Sequence, residues 1–255
     1  GQLDHASTDL EKACRLQPES APFHYNFANL LRKMGKLERS ERHYLEAIQL
    51  NPTLVDAYHG LGSLCLESGR LVTAESCLCK AVELSPGFVL ALHDLGQLYL
   101  LEGKRGQAEE LFRRCLELDR GFVPALNSLG MLLLRGSRVQ EARDCFTSAL
   151  RIQPGYLQAR ANLAVLSTWC GELEYAVREL ALLAELAPND GDVHFNLALA
   201  LLASGRMAEG WGEHEWRFRK ARPVEQRHGG IPRWQGEALM GKRLLIHAEQ
   251  GYGDR

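Results

Sequence analysis

The feature that most constrains this chain is a pattern that returns every 34 residues. One full copy occupies residues 89–122 and contains two stretches with apolar residues at helical spacing. The first stretch places its apolar and small residues on one helix face, at Leu92, Leu95, Gly96 and Tyr99. The second stretch repeats this spacing with Ala108, Leu111, Phe112, Cys115 and Leu116. Gly103 lies between the stretches, so the pattern predicts a helix, a tight turn and a second helix.

The same positions recur along most of the chain. The first of two adjacent packing residues recurs as Phe27, Leu61, Leu95, Leu129, Leu163 and Leu197. The small residue after it recurs as Ala28, Gly62, Gly96, Gly130, Ala164 and Ala198. The small residue of the second helix recurs as Ser40, Ala74, Ala108, Ala142, Ala176 and Gly210. These small side chains predict that two helix backbones approach closely in every copy.

Glycine and proline interrupt the chain at fixed places in the pattern. The glycine between the helices recurs as Gly35, Gly69, Gly103, Gly171 and Gly205, with Gly136 one place early in the fourth copy. The proline that closes each copy recurs as Pro18, Pro52, Pro86, Pro154 and Pro188. Arg120 and Gly121 stand where one proline is missing. A long coiled coil is the structural alternative, and these regular interruptions exclude it.

An established repeat family has this order of residues. The chain resembles the tetratricopeptide repeat (TPR), with leucine in place of the first tryptophan, in the order Leu92-x2-Leu95-Gly96-x2-Tyr99 and Ala108-x3-Phe112. The resemblance implies an all-α fold, a right-handed superhelical solenoid of antiparallel helix pairs with a concave inner face. Each repeat in such a solenoid packs only on its neighbours.

The pattern predicts where the repeats begin and end. We expect residues 1–20 to form the second helix of a preceding repeat. Five full repeats follow, at residues 21–54, 55–88, 89–122, 123–156 and 157–190. A sixth, divergent repeat occupies 191–220 and is expected to cap the array. Residues 206–220 predict one helix with Trp211 on its apolar face and Trp216 off that face.

The last part of the chain loses helical periodicity. Proline and glycine recur through residues 221–241, which predicts a linker. Residues 242–248 read as a short apolar strand, followed by a glycine-rich turn over residues 249–255. A single strand has no partner within a helical solenoid, so we expect it to begin an α/β domain that this chain truncates. An unpaired strand edge also predicts self-association.

Composition excludes several classes of partner and location. The net charge is −2 at pH 7, so the chain has no general basic field for nucleic acid. It contains no run of about 18 apolar residues, and we therefore expect no membrane span. The seven cysteines have no zinc spacing and are interpreted as free thiols packed like small apolar residues. Free thiols favour a reducing compartment and hence a cytoplasmic location.

The TPR resemblance implies which residues line the groove. In that family, first helices face inward with the positions two and one before the first packing residue and two after it. The groove candidates are Tyr25, Asn26, Asn29, His59, His93, Asp94, Gln97, Asn127, Met131, Asn162, Val165, Phe195, Asn196 and Leu199. Asparagine amides both donate and accept hydrogen bonds, which suits the backbone of an extended peptide. We therefore expect a protein or peptide partner in an extended conformation.

Two other groove chemistries are known or conceivable for such a surface, a carboxylate clamp and a metal site. The carboxylate clamp of chaperone-binding TPR domains needs lysine and arginine at inward places where this chain has Tyr25, Gly60, Leu90 and Asp94. His59 and His93 hold equivalent places in consecutive repeats near Asp94, but no further ligand is evident, so no metal or other cofactor is predicted. Ordinary hydrogen bonds are the preferred interpretation of both histidines.

Two functions of different class remain open. The first is an interaction module without chemistry of its own. The second follows from a further resemblance, because residues 206–254 are similar to the join between repeats and catalytic domain in bacterial O-linked N-acetylglucosamine transferase-like proteins. That resemblance implies a nucleotide-sugar donor for the parent protein, a ligand-binding turn at Gly251 and Gly253, and Asp254 as a candidate catalytic base. Asn26, Asn162 and Asn196 match the asparagine ladder of those transferases, and Gly60, Asp94 and Ser128 interrupt it. Whether the parent is an enzyme is left open.

Overall fold

The computed structural model describes residues 2–220, and within them it is entirely helical. The expected linker at 221–241, the strand at 242–248 and the turn with Gly251, Gly253 and Asp254 lie outside the described residues. The chain divides into two compact units between Pro154 and Gly155. No helix in residues 2–220 is long and apolar enough to cross a membrane.

The first unit contains nine helices in the described residues. They are α1 Gln2–Leu16, α2 Ala21–Lys33, α3 Leu37–Leu50, α4 Val55–Glu67, α5 Leu71–Leu84, α6 Val89–Leu101, α7 Arg105–Leu118, α8 Val123–Arg135 and α9 Val139–Ile152. From α2 onward, a first helix of 13 residues alternates with a second helix of 14 residues. Both kinds of helix restart at intervals of 34 residues, so the backbone follows the period of the sequence.

The second unit continues the alternation. Its elements are α10 Leu157–Trp169, α11 Leu173–Leu186, α12 Gly191–Ala203, α13 Met207–His214 and a 3₁₀ turn Glu215–Phe218. The helix expected over residues 206–220 therefore ends at His214. Trp216, expected off the apolar face, is the tryptophan that packs. Its indole stacks on the His194 imidazole of α12 with ring centroids 4.1 Å apart, whereas Trp211 is 59% exposed.

Close approach of the two helices within a repeat explains the small residues. At Gly96 a Cβ atom would lie 2.6 Å from the ring of Phe112, and at Gly130 it would lie 2.6 Å from the ring of Phe146. Both phenylalanine rings are fully buried. Glycine on the first helix thus makes room for an aromatic ring on the second, and each such pair forms part of the core.

The turns between paired helices share one backbone conformation. Gly35, Gly69, Gly103, Gly171 and Gly205 all adopt positive φ, from 72° to 81°. In the fourth repeat the left-handed residue is Ser137, with φ 61°, although Gly136 precedes it with φ −88°. The early glycine therefore does not shift the turn. The packing of α8 on α9 keeps the 34-residue register, and a serine takes the conformation that favours glycine.

Neighbouring repeats meet where the second helix of one repeat packs on the first helix of the next, and their first helices also pack on each other. In the first unit α2 packs on α4, α4 on α6 and α6 on α8, while no two second helices of its described repeats come into backbone contact. In the second unit α10 packs on α12 in the same way. Because first helices lie closer together than second helices, they line the inner side of each unit.

Candidate functional site

The first helices of the first unit present a continuous row of polar side chains. We name this row the polar strip, and it consists of His59, Ser63, His93, Asp94, Gln97 and Ser128. Hydrogen bonds run from each repeat of the strip to the next one along the chain. The strip therefore links three successive first helices, α4, α6 and α8.

Asp94 is the centre of the strip. His59 Nε2 lies 3.0 Å from its Oδ2, and the Ser63 hydroxyl donates to the same oxygen at 2.5 Å. His93 Nδ1 lies 3.4 Å from Oδ1. Burial alone would raise the pKa of Asp94, but hydrogen bonds from His59, His93 and Ser63 outweigh it and hold this pKa well below its usual range. Asp94 is consequently a stable carboxylate on a half-buried surface.

Ser128 takes the place of Asp94 in the next pair of repeats, where it bonds to side chains of the preceding first helix. Its hydroxyl accepts a hydrogen bond from Gln97 Nε2 at 2.7 Å, and His93 Nε2 lies 3.1 Å from the same oxygen. His59 and Asp94 are separated by 35 residues, as are His93 and Ser128. The two contacts are therefore the same inter-repeat contact made with different side chains.

Aromatic rings at the helix starts hold both histidines in place. Phe88 precedes α6 and meets the His59 ring edge-on, with centroids 5.2 Å apart and an interplanar angle of 85°. Phe122 precedes α8 and meets His93 at 5.6 Å and 82°. Edge-to-face packing restricts rotation of both imidazole rings, so their nitrogen atoms stay directed at the other side chains of the strip.

The other groove candidates of the first unit lie beside the strip. The Tyr44 hydroxyl donates to Asn29 Oδ1 at 2.5 Å, and the Tyr25 ring packs against that of Tyr44. Asn26 is exposed. Two further candidates, Asn127 and Met131 on α8, are half-buried.

The candidates of the second unit form a more apolar surface. On α10, Asn162 and Val165 are half-buried. On α12, Phe195 and Asn196 are half-buried and Leu199 is 41% exposed. The Lys220 ammonium lies 3.9 Å from the centroid of the Phe195 ring, so the end of the described chain covers one face of that ring.

One polar cluster was not singled out from the sequence. His24 on α2 meets His43 and Glu46 on α3, and their ligand atoms all lie within 4.8 Å of one another. Burial and the neighbouring His24 lower the pKa of His43. Within residues 2–220, His59, His93 and Asp94 do not form a comparable group. The His43-x2-Glu46 spacing, which puts two ligands on one helix face, is the sequence signal that would have found the cluster.

The seven cysteines, all in the described residues, form no disulfide. Cys14, Cys65 and Cys115 are buried, and burial raises the pKa of all three thiols, that of Cys115 to about 11. Such thiols are poor nucleophiles and pack as small apolar groups. Cys79 and Cys170 are exposed, so the expected packing as small apolar groups holds for the buried thiols and not for these two.

Comparison with known families agrees with this architecture. A family model described as a TPR repeat matches residues 28–69, and models described as tetratricopeptide repeats match residues 55–88, 93–156 and 133–194. The chain is a tetratricopeptide repeat protein. The family models confirm the TPR resemblance over residues 28–194, and the all-helical fold expected from the sequence is confirmed for residues 2–220.

A curated relative of this TPR protein is Protein FlbA of Caulobacter vibrioides, which is 44% identical over 89 residues. That match covers 33% of this chain and 15% of FlbA, so the matched region is a small part of the relative's length.

Several solved structures share the fold. The Cut9–Hcn1 hetero-tetramer of the APC/C is 21% identical with a TM-score of 0.78, covering 88% of this chain and 44% of that chain. PilF of Pseudomonas aeruginosa is 21% identical with a TM-score of 0.66, covering 74% and 86%. YrrB, described as a TPR protein with an unusual peptide-binding site, is 25% identical with a TM-score of 0.56, covering 77% and 97%. The first two likenesses concern the fold alone.

Proposed function

We propose that this TPR protein binds an extended polypeptide along its first helices. TPR proteins generally serve as protein-interaction modules. The observation that carries the proposal is the polar strip, in which buried and half-buried donors and acceptors follow one another across three repeats. The likeness to YrrB supports it, because that protein is described as having a peptide-binding site.

The chemistry of the polar strip indicates the kind of peptide. An extended peptide presents a backbone donor or acceptor at each residue, about 3.3 Å apart. The imidazole, hydroxyl and amide groups of the strip match such a backbone without requiring particular side chains. Asp94 is its charged residue, and the strip contains no lysine or arginine. We therefore expect neutral or basic segments to bind there in preference to acidic ones.

The second unit contributes a different surface in this proposal. Asn162 and Asn196 supply amides for backbone hydrogen bonds, each worth about 1 kcal/mol net. Phe195, Val165 and Leu199 supply apolar contact area next to these amides. A segment bound at the second unit is therefore expected to carry apolar side chains.

The test is a peptide selected by display on the whole chain, followed by binding measurements on variants. His93→Ala with Gln97→Ala, and separately Asn162→Ala with Asn196→Ala, should each weaken binding about tenfold or more. Glu75→Gln is the matched control, because Glu75 lies on the second helix α5 and pairs with Lys104 at 3.8 Å. Unchanged affinity in both double variants would place binding on the second helices or around the exposed Trp211 instead.

The alternative function is recognition of substrate for a glycosyltransferase. It rests on the sequence resemblance of residues 206–254, and the family models that match the chain end at residue 194. The test uses the longer parent protein with Asp254→Asn. If the parent turns over a nucleotide sugar and the variant retains full turnover, Asp254 is not the catalytic base. If the parent lacks this turnover, the interaction function stands alone.

Two further proposals accompany the function. The strand expected at residues 242–248 would allow self-association, which should disappear when residues 242–255 are deleted and be visible in sedimentation of the undeleted chain. The seven free thiols suit a cytoplasmic location, which fractionation of cells producing the parent protein would test.

A further inference from the structure

We propose that His24, His43 and Glu46 form a binding site for a divalent transition-metal ion, of which Zn²⁺ is the best fit. The site joins the two helices of one repeat, because His24 lies on α2 and the other two residues lie on α3. It is separate from the polar strip and from the proposed peptide site. Two imidazoles and a carboxylate are a ligand set that zinc uses in proteins.

The distances between the ligand atoms fit a single ion. His24 Nδ1 lies 3.0 Å from His43 Nδ1 and 3.4 Å from Glu46 Oε2. His43 Nδ1 lies 3.9 Å from the same carboxylate oxygen. A triangle with these sides has a point about 2.0 Å from all three corners, which is the bond length of zinc to histidine and carboxylate ligands.

A backbone contact sets the correct tautomer of His24. The second ring nitrogen, Nε2, lies 3.0 Å from the Pro18 carbonyl oxygen, which can only accept a hydrogen bond. Nε2 therefore carries the proton of the neutral ring, and the lone pair is on Nδ1, facing His43 and Glu46. Metal-bound histidines are typically held in this way, with the second nitrogen donating to a carbonyl or carboxylate.

Comparison with other repeats shows that the cluster differs from an ordinary helix-to-helix contact. In the first repeat, His24 on the first helix faces His43 on the second helix. At the equivalent positions, the fifth repeat has the oppositely charged pair Arg160 and Glu179, and the sixth has the acid–base pair His194 and Glu213. Two neutral imidazoles have no opposite charges to attract each other, and in the metal-free protein they are joined by one N–H···N hydrogen bond.

Binding of the ion requires a small rearrangement. The Nδ1 proton of His43, which is donated to His24 Nδ1 in the metal-free arrangement, moves to Nε2 of the same ring through solvent. The His43 ring then turns so that its lone pair points toward the ion. His43 and Glu46 have side-chain exposures of 21% and 52%, so the ion has a path from solvent, whereas His24 is buried. The bound ion would hold α2, α3 and the Pro18 loop together.

The test is titration of the tag-free, chelator-treated chain with ZnCl₂, followed by calorimetry and thermal unfolding. The unsubstituted chain should bind one Zn²⁺ tightly and unfold at a higher temperature with zinc than without it. His43→Leu should weaken binding about 100-fold or more, because even second-shell changes cost 10–100-fold. Leucine suits this position, since Leu111 occupies it in the third repeat.

Two other variants complete the test. Glu46→Gln replaces an exposed ligand without disturbing the core, and it should weaken zinc binding at least about tenfold while circular dichroism stays unchanged. His5→Gln removes an exposed histidine elsewhere on the chain and should bind zinc like the unsubstituted chain. Failure of the unsubstituted chain to bind zinc would overturn the proposal. Binding by His43→Leu and Glu46→Gln at full strength would overturn it equally.

Discussion

The first helices of the two units share one backbone pattern and present different surfaces. In the first unit the polar strip on α4, α6 and α8 carries histidine, serine, aspartate and glutamine, which hydrogen-bond from repeat to repeat. In the second unit the same positions carry Ala161, Val165, Phe195 and Leu199, interleaved with asparagines. The packing positions differ much less, since both units have small residues where the two helices of a repeat meet. The positions that hold the fold and those that set the surface are therefore separate within each repeat.

The largest expected effect concerns the packing positions, where glycine and phenylalanine in the fourth repeat correspond to alanine and leucine in the fifth. Gly130→Ala should destabilise the first unit by about 2 kcal/mol, because the new Cβ would lie 2.6 Å from the Phe146 ring. The corresponding pair in the second unit is Ala164 with Leu180, both fully buried. Chemical denaturation of the single and double variants measures the effect.

The double variant Gly130→Ala with Phe146→Leu reproduces the second unit's pair in the first. It should be more stable than the sum of the two single changes predicts, since the added methyl group fills part of the space left by the smaller side chain. Additive losses would show that the two packing positions are independent, and the comparison between the units would fail at this point.

The next effect concerns the charge that distinguishes the polar strip. Asp94→Asn gives the third repeat the residue type that Asn162 and Asn196 provide at the equivalent position of the second unit, and it should cost about 1.5 kcal/mol at pH 7 by weakening hydrogen bonds to a charged group. The pKa of Asp94 is lowered in the folded chain. Its contribution to stability is therefore complete above about pH 4, the unfolded value, and is lost as pH falls toward the folded value.

Denaturation of both proteins at pH 7 and at pH 3 checks this prediction. The stability difference between the unsubstituted chain and Asp94→Asn should shrink at the lower pH. Asp56→Asn, an exposed change on α4, serves as the control and should have little effect at neutral pH. A difference that stays constant from pH 7 to pH 3 would mean that the Asp94 charge does not stabilise the strip.

The smallest effect concerns the turns. Ser137 in the first unit and Gly171 in the second occupy the same place, with φ 61° and 81°. Ser137→Gly should stabilise the chain by about 0.5–1 kcal/mol, because glycine adopts positive φ without steric cost. Gly136→Ala is the neighbouring control, since φ there is −88° and the nearest atom to an added Cβ is 3.4 Å away. Thermal unfolding of both variants measures the effect. A loss of stability in Ser137→Gly would show that the left-handed conformation of Ser137 is not unfavourable.

Much of the fold follows from the sequence because its determinants are local. Periodic apolar residues, a glycine in each turn and a proline after each pair are all read within 34 residues. Local patterns left one detail open and gave another wrongly. The sequence places Gly136 one residue early without indicating where the turn lies, and packing of α8 on α9 sets its register. The helix expected over 206–220 ended at His214, where Trp216 turns back to stack on His194.

The sequence predicted less about the candidate site than about the fold. The inward positions could be derived from the family resemblance, and their role in binding stays a prediction. Ser63 and Ser128 also occupy inward positions by that resemblance but are not among the groove candidates, although both hydrogen-bond within the polar strip. A serine at such a position gives no signal of its bonding partner by its residue type alone. Its importance here comes from an aspartate or a glutamine on the neighbouring first helix.

The sequence by itself determined that this chain is an array of helix pairs, because that outcome depends on residues three, four and 34 positions apart. Only the tertiary structure decided which polar groups meet. His59 meets Asp94 across 35 residues and His24 meets His43 across 19, and both contacts depend on how one helix is rotated against another. That rotation is set by core packing over whole repeats, since buried side chains such as Phe112 and Phe146 fill the space between the helices.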